Sequence, residues 1–313
     1  MSKELALKLM TYNIGGGRKN LGSQFPNILK IIKEEAPDIL AIQEAVKWKS
    51  LNDDQFDQVK GIAESGIKSK FCYFGPTLKM QENFHIKKEL FIHAVFNDCE
   101  NLEQGNALFS RWPFTRLGDS NEAGSPQNIP LYKVLYGGNR ETDPRYIILS
   151  QINMGFAKAF LMTTHLTTLY GERGSKQIPK KSEDAQMMRW EQCERILDLI
   201  REYVLEKNEL AFLMGDFNAT YSEPAISTSL EKKGGFVRLL PNNNIGTHLK
   251  LEAPVDHILV FPGKYHIKYN CSVYDDNFSA SDHNPVVADI VIFNSDSLEH
   301  KKFGGGVFQE TVK

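Results

Sequence analysis

Short apolar segments that alternate with amphipathic helical stretches are the feature that most restricts how this chain can fold. Residues 39–42 form a continuous apolar run, which is typical of a strand covered on both faces. Residues 25–32 and 190–204 carry apolar side chains at every third or fourth position, which predicts a helix in each. Further apolar strands are predicted at residues 7–14, 160–164, 211–214, 255–261 and 286–293. This alternation predicts one α/β domain with covered sheets.

Capping and turn residues set the limits of these predicted elements. For the first helix we predict Ser23 as the N-cap and Pro37 as the residue that ends it. Polar stretches rich in glycine and asparagine predict long loops at residues 118–144 and 170–182. After residue 294 the composition turns polar and glycine-rich, so we assign residues 1–294 to the folded domain and predict a flexible tail at residues 295–313.

Composition and charge exclude several classes of protein. The 313 residues are 41% hydrophobic and 24% charged, enough for a substantial core. No apolar run approaches the length of a membrane span, and the charged first ten residues do not resemble a signal peptide. The formal net charge of -2 gives no general attraction to nucleic acid or acidic membranes, so any contact with a polyanion must be local. We therefore expect no stable membrane association, and the sequence indicates no protein partner.

The four cysteines favour a reducing compartment. Cys72, Cys99, Cys193 and Cys271 are scattered and form no C-x-x-C pair, so neither disulfides nor a structural zinc site is predicted. Together with the lack of a leader-like N-terminus, this pattern predicts a cytoplasmic location.

Six apolar segments begin or end at side chains that can do chemistry: Asn13, Glu44, His165, Asp216 with Asn218, Asp256, and Asp282 with His283. Each alone has an ordinary explanation, since Asn13 precedes a glycine run and suits a turn, and Glu44 suits a solvated surface. Asp216 and Asn218 indicate more, because residues i and i+2 of an extended chain project to the same side.

The set as a whole predicts a metal site. Carboxylates and amides held close together need a cation to neutralise them. Hard oxygen donors suit Mg²⁺ or Mn²⁺, and the chain lacks the helical H-E-x-x-H pattern of a zinc hydrolase. With histidines that can donate to anionic oxygens, the set predicts metal-assisted attack of water on phosphorus.

Seven short motifs, in order along the chain, resemble those of the endonuclease/exonuclease/phosphatase (deoxyribonuclease I-like) superfamily. They are Met10-Thr11-Tyr12-Asn13, Ile42-Gln43-Glu44, Gly105-Asn106-Ala107-Leu108-Phe109-Ser110-Arg111, Thr164-His165-Leu166, Gly215-Asp216-Phe217-Asn218, Val255-Asp256-His257-Ile258-Leu259 and Ser281-Asp282-His283. The resemblance implies a four-layer α/β/β/α sandwich with two central mixed β-sheets. It also implies a metal-dependent phosphoric ester hydrolase.

The resemblance implies a role for each motif residue. Glu44 would be the principal Mg²⁺ ligand, supported by Asn13 and Asp282. Asp216 would orient and deprotonate the attacking water. The remaining catalytic residues would be Asn218 and His283 on the phosphate, Asp256 to orient His283, and His165 on the phosphate or the leaving oxygen. Asn106 and Arg145 are further candidates for phosphate contact.

The sequence departs from two branches of that superfamily. AP endonucleases usually carry Tyr in place of His165, and Thr-Lys where this chain has Ala45-Val46. Inositol-phosphate 5-phosphatases usually show Tyr-Arg after the Asp-x-Asn motif, where Ala219-Thr220 stands here, and Cys in place of Val255. Secreted sphingomyelinases would need a signal peptide. The pattern is most similar to bacterial metal-dependent hydrolases and to deoxyribonuclease-like and deadenylase-like nucleases.

We therefore predict an Mg²⁺- or Mn²⁺-dependent nuclease with nucleic acid as its substrate. An aromatic residue and cations after His165 could contact a strand: Tyr170, Arg173, Lys176, Lys180 and Lys181. A solvated polar loop would explain them equally well. One alternative is a phosphatase or a phospholipid or phosphosugar esterase with the same metal site. The other is a non-catalytic binding module, which has no physical need for clustered carboxylates.

Overall fold

The structure is a computed structural model that describes residues 4–15, 24–50, 55–79, 99–132, 143–168, 179–294 and 306–309. Its strands, in chain order, are β1 (Glu4–Asn13), β2 (Ile39–Ser50), β3 (Gln55–Asp57), β4 (Phe71–Lys79), β5 (Cys99–Ser110), β6 (Phe114–Arg116), β7 (Asp119–Ala123), β8 (Gln127–Tyr132), β9 (Arg145–Asn153), β10 (Lys158–His165), β11 (Leu210–Asp216), β12 (Val237–Arg238), β13 (Asp256–Phe261), β14 (Tyr265–Val273), β15 (Val286–Asn294) and β16 (Val307–Gln309). The helices are α1 (Phe25–Glu35), α2 (Gln58–Glu64) and α3 (Pro179–Ile200), with π-helical segments at Arg201–Leu205 and Ala225–Lys233.

These strands form two mixed sheets of eight strands each. The first sheet has the order β16-β14-β15-β1-β2-β5-β4, with β3 added to β2, and the second has the order β12-β13-β11-β10-β9-β6-β7, with β8 added to β9. Each sheet contains a central parallel pair, β1 with β2 and β10 with β11. The carboxyl ends of these two pairs carry Asn13 with Gln43 and His165 with Asp216.

Three apolar clusters separate the layers. The cluster between the sheets includes Leu9 of β1, Leu161 of β10 and Phe212 of β11. A second cluster packs α1 and α2 on the outer face of the first sheet, and a third packs α3 and the Ala225–Lys233 segment on the outer face of the second. The predicted four-layer α/β/β/α sandwich is confirmed. Every helix among the described residues is too short or too polar to cross a membrane.

The prediction of Ser23 as the N-cap of α1 is wrong. The helix begins at Phe25 and Gln24 is its N-cap, while Ser23 lies outside the described residues. Pro26 occupies the first turn, where its fixed φ suits a helix and its missing N–H costs nothing. At the other end, Ala36 adopts a left-handed φ of 45° and donates to the Ile32 carbonyl, so the helix ends before Pro37 as predicted.

The structure also differs from the predicted loops and tail. Residues 118–144 contain β7 and β8. In β8, Ile129 and Leu131 lie two residues apart and pack on the outer core of the second sheet. Residues 133–142 lie outside the described residues. The predicted loop at 170–182 gives way to α3 at Pro179. Within the predicted flexible tail, Val307–Gln309 form β16, which adds parallel backbone pairing to β14.

Candidate active site

Asp216 lies at the point where the two sheets meet. Its side chain is 1% exposed, and its Oδ2 atom accepts a hydrogen bond from Nδ2 of Asn13 on the opposite sheet at 2.9 Å. Its Oδ1 atom accepts from the backbone N–H of Asn218 at 2.8 Å. Nε2 of His165 is 3.3 Å from Oδ2, and Nε2 of His283 is 3.8 Å from the same atom. One buried carboxylate therefore contacts four of the predicted site residues.

Gly215 permits this arrangement because β10 passes directly against it. A Cβ atom at this position would lie 2.0 Å from the Thr164 carbonyl oxygen, and the backbone φ of 154° is one that other residues rarely adopt. With no side chain in the way, β11 pairs closely with β10, and Asp216 comes opposite His165 on one side and Asp256 on the other.

His283 and Asp256 form a second contact between the sheets. Asp256 begins β13 of the second sheet, and His283 precedes β15 of the first. Their Nδ1 and Oδ2 atoms are 2.8 Å apart, so the carboxylate fixes which ring nitrogen of His283 faces Asp216. Oδ1 of Asp256 is buried and has no hydrogen-bond partner within the described residues.

Glu44 projects from a β-bulge in β2. Between Ile42 and Ala45 the pairing with β5 shifts by one residue, and Glu44 takes a left-handed φ of 56°. Such a backbone costs a non-glycine residue on the order of 1 kcal/mol or more, which is typical of functional positions. Oε2 of Glu44 accepts a hydrogen bond from Nε2 of Gln104 at 3.2 Å.

A small cleft joins Glu44 to His165, and Asn106 and Arg145 form part of its wall. Both wall residues are buried, and Nδ2 of Asn106 has no hydrogen-bond partner within the described residues. The Arg145 guanidinium lies 3.6 Å from a carboxylate oxygen of Asp143. The structure therefore places Asn106 and Arg145, the two residues predicted to contact phosphate, in the same cleft as His165.

The two histidines of the site differ in charge. Burial lowers the pKa of His165 to about 4, with a further lowering from the positive charge of Arg145, so this ring is neutral at neutral pH. Burial also opposes the charged form of His283, but the carboxylates of Asp256 and Asp216 outweigh it and raise the pKa to about 9. Two histidines whose pKa values differ in this way suit different roles in proton transfer.

Sequence reasoning missed His248, which packs edge-to-face against His283 with ring centroids 4.7 Å apart. Its backbone bridges that of His283, the Leu249 N–H donates to the Asp282 carbonyl, and the Lys250 N–H donates to Nδ1 of His248. No regular strand contains this segment, so periodicity could not reveal it. The one available signal was a Thr-His pair shortly before the Asp256 motif.

The donor set fits a divalent cation. The negative charges of Asp216 and Glu44 both act to raise the pKa of His165. Those of Asp256, Asp216 and Asp282 act to raise the pKa of His283. Candidate ligand atoms of Asp216, Asp256 and His283 lie within 4.8 Å of one another, as do those of His248, Asp282 and His283. Carboxylates concentrated in this way are costly without a cation, and their hard oxygens suit Mg²⁺ or Mn²⁺.

The other predicted residues have mixed outcomes. Oδ1 of Asn13 accepts a hydrogen bond from the Gly15 N–H, and Nδ2 of Asn13 donates one to Asp216. The structure therefore shows Asn13 as a hydrogen-bond partner of Asp216. Metal ligation by Asn13 stays a prediction. Nδ2 of Asn218 donates to the Leu166 carbonyl at 3.2 Å. Lys180 and Lys181 lie in the first turn of α3 and not in a loop. Tyr170, Arg173 and Lys176 lie outside the described residues.

Comparisons with known proteins agree with this geometry. Residues 10–283 match the sequence profile of the Endonuclease/Exonuclease/phosphatase family. No curated protein sequence matches the chain.

Solved structures are similar at the level of the fold. An endonuclease/exonuclease/phosphatase from Beutenbergia cavernae has a TM-score of 0.63 and 18% identity, covering 91% of this chain and 71% of its own. The human Nocturnin catalytic domain with a bound sulfate anion has a TM-score of 0.62 and 16% identity, covering 93% and 96%. A mannosyl-6-phosphatase from Bacteroides thetaiotaomicron has a TM-score of 0.56 and 17% identity, covering 91% and 99%.

Proposed function

Because the chain belongs to the endonuclease/exonuclease/phosphatase family of phosphoester hydrolases, we propose that it hydrolyses a phosphodiester by metal-assisted in-line attack of water. The proposed substrate is a nucleic acid strand. The observation that carries the proposal is the position of Asp216, a buried carboxylate between a neutral and a charged histidine. This arrangement offers a proton acceptor and a proton donor within one site, as hydrolysis at phosphorus requires.

Asp216 is the proposed acceptor of the proton from water. Asn13 donates to one of its two oxygens and the backbone N–H of Asn218 donates to the other, so the carboxylate has little freedom to turn. Positioning of this kind lowers the barrier because the attacking water is oriented before the reaction begins.

His283 is the proposed donor to the phosphate. With Nδ1 held by Asp256, its Nε2–H faces Asp216 and can donate to a phosphoryl oxygen as negative charge develops there. Neutral His165, at the mouth of the cleft with Asn106 and Arg145, is placed to contact another phosphoryl oxygen or the leaving oxygen.

Glu44 and Asp282 are the proposed holders of the cation. When bound, Mg²⁺ or Mn²⁺ would supply positive charge that offsets the charge of the phosphate. The bulge at Glu44 aims its carboxylate out of the β2 ladder and toward the cleft, and Gln104 restrains it there.

A phosphomonoesterase is the second candidate. The similarity of the fold to a mannosyl-6-phosphatase and the buried donors of Asn106 and Arg145 favour it, since a terminal phosphate presents an additional charged oxygen. The nucleic acid proposal ranks first because the motif pattern departs from the 5-phosphatase branch at Ala219-Thr220 and Val255.

The test is a substrate panel with a matched pair of variants. Plasmid DNA, single-stranded DNA, RNA and phosphosugars are incubated with Mg²⁺, Mn²⁺ or chelator. We expect wild type to cleave nucleic acid only with metal, and Glu44→Gln to need at least about tenfold more Mg²⁺ for half-maximal activity. Asp38→Asn makes the same carboxylate-to-amide change before β2, where Asp38 accepts from Lys8 N–H and Arg111, and should leave the metal dependence unchanged.

The outcomes separate the candidates. Cleavage of phosphosugars without cleavage of nucleic acid would favour the phosphomonoesterase. No hydrolysis of any substrate with either metal would contradict both enzymatic proposals and favour a binding module.

A further inference from the structure

Arg189 is a charged side chain buried in the apolar face of α3. It is fully excluded from solvent, and its guanidinium forms two hydrogen bonds with the Glu223 carboxylate, from Nε at 2.6 Å and from Nη2 at 3.0 Å. This two-pronged geometry is specific to arginine and fixes the relative orientation of the two groups.

The same guanidinium holds the segment that follows His165. Nη1 of Arg189 donates to the carbonyls of Thr167 and Thr168 at 3.2 and 3.4 Å. One turn further along α3, Gln192 accepts from the Thr167 N–H at 3.0 Å and donates to the Thr167 hydroxyl at 2.7 Å. Helix α3 therefore binds Thr167 and Thr168 through directional polar contacts in addition to the apolar packing of Leu166.

This segment is directly connected to the site. The Leu166 N–H donates to the Asp216 carbonyl at 2.9 Å, and the Leu166 carbonyl accepts from Nδ2 of Asn218 at 3.2 Å. Glu223 follows Asn218 in the loop after β11, and its N–H donates to the Thr220 carbonyl. The Arg189–Glu223 pair thus joins the loop after His165 to the loop after Asp216.

We propose that Arg189 and Glu223 are positioning residues that set the distance between His165 and the Asp216–Asn218 turn during phosphoester hydrolysis. A buried ion pair adds little net stability over apolar side chains of similar size, so stability alone gives no reason for a charge on this face of α3. The inference rests on the function proposed above for the same site.

The kinetic test removes the pair as a unit. In the double variant Arg189→Met/Glu223→Met no charge is left buried alone, so the chain should fold. Using bis(4-nitrophenyl) phosphate and the nucleic acid that wild type cleaves best, we expect kcat to fall about 10- to 100-fold, because small displacements of reacting groups carry costs of that size. The Mg²⁺ concentration for half-maximal activity should change by less than about twofold, because Glu44 lies on the other sheet. KM should change less than kcat, because the displaced groups act chiefly on charge that develops in the transition state.

Two further variants keep the test decisive. Gln192→Leu removes only the Thr167 contacts and should lower kcat in the same direction, even if the double variant does not fold. Asp38→Asn is the control for general destabilisation. A kcat within about twofold of wild type in the folded variants, or a loss no greater than that of the Asp38→Asn control, overturns the proposal.

A readout without catalysis separates this inference from the proposed function. Side-chain NMR spectra of the histidines should show a displaced His165 signal in the double variant and an unchanged signal for His266, which lies on β14. If wild type hydrolyses nothing, the proposed function fails, and the His165 signal still decides whether the pair positions that ring. An unchanged His165 signal contradicts the inference.

Discussion

The space between the sheets has an apolar end and a polar end, and single strands run through both. Inward-facing residues change from Leu9 to Asn13 along β1, and from Leu161 to His165 along β10. At the apolar end the sheets are held by burial, which has no preferred direction. At the polar end they are joined by directional contacts, such as Asn13 with Asp216 and His283 with Asp256. We infer that the apolar end supplies stability, while the polar end fixes atomic positions for chemistry.

Substitution at the polar end should have the largest effect, and this effect should be on activity. Asp216→Asn keeps the shape of the side chain but removes the proton acceptor, so we expect kcat to fall by about 10²–10³ or more. The free energy of unfolding should fall by about 1–3 kcal/mol, because the single amide oxygen can accept from only one of the two donors, Asn13 and the Asn218 N–H. A fall in kcat that is explained entirely by the fraction of unfolded protein would contradict the comparison.

Substitution at the apolar end should act on stability. Leu161→Ala empties part of the core between the sheets, at a cost of about 2–5 kcal/mol in the free energy of unfolding. Urea denaturation measures this loss. At urea concentrations below the unfolding transition, kcat should stay near that of wild type. A loss of kcat in the folded variant would show that the two ends are not separable.

Acid should weaken the outer face of the second sheet, behind the polar end, through His257. Its ring packs against Phe217 of the outer apolar cluster, and its Nε2 atom contacts the Ala219 carbonyl at 2.8 Å. Burial lowers its pKa from 6.5 to about 4, so the folded protein keeps the ring neutral while the unfolded chain protonates it. The free energy of unfolding is therefore unaffected by this ring above about pH 6.5. It falls by about 3 kcal/mol as the pH is lowered from 6.5 toward 4. His257→Gln should reduce the slope of the stability profile between pH 6.5 and 4, measured by urea denaturation, and the remaining slope comes from His165, whose pKa is also about 4. An unchanged slope would contradict the assignment.

The border between the two ends should show the smallest effect. Gln43 donates from Nε2 to the Thr163 hydroxyl of the opposite sheet at 3.0 Å and accepts from the Thr11 hydroxyl at 3.3 Å. Thr163→Val leaves the buried Gln43 amide without that acceptor, at a cost of about 1–3 kcal/mol by thermal or urea denaturation. Thr163→Ser retains the hydroxyl and serves as the control. Equal losses in both variants would indicate a packing effect.

The sequence predicted the convergence of Asp216, Asp256, His165 and His283 because strand ends follow simple rules. Each of these residues follows or precedes an apolar run, and parallel neighbours bring their carboxyl ends to one edge of a sheet. Contacts between the sheets were not predictable in detail, since the pairing of Asn13 with Asp216 depends on how two twisted sheets are stacked.

Other residues were hidden by their context. Arg189 lies in a helical pattern where a charge is ordinarily assigned to the solvent side. Its burial is explained by partners outside the helix, the Glu223 carboxylate and the carbonyls of Thr167 and Thr168. His248 lies in an irregular segment that has no period. Strand β7 is mostly exposed and polar, so composition indicated a loop where backbone pairing with β6 forms a strand.

The order of the strands along the chain has a consequence for biosynthesis. The first sheet combines β1 and β2 with β15, so the middle of the sequence, which makes up the second sheet, is translated before the first sheet can close. Glu44, His165 and Asp216 all leave the ribosome ahead of His283. A polypeptide that stops before His283 therefore lacks its proposed phosphate donor, and competence for hydrolysis arises only after β15 has been made and has paired with β1.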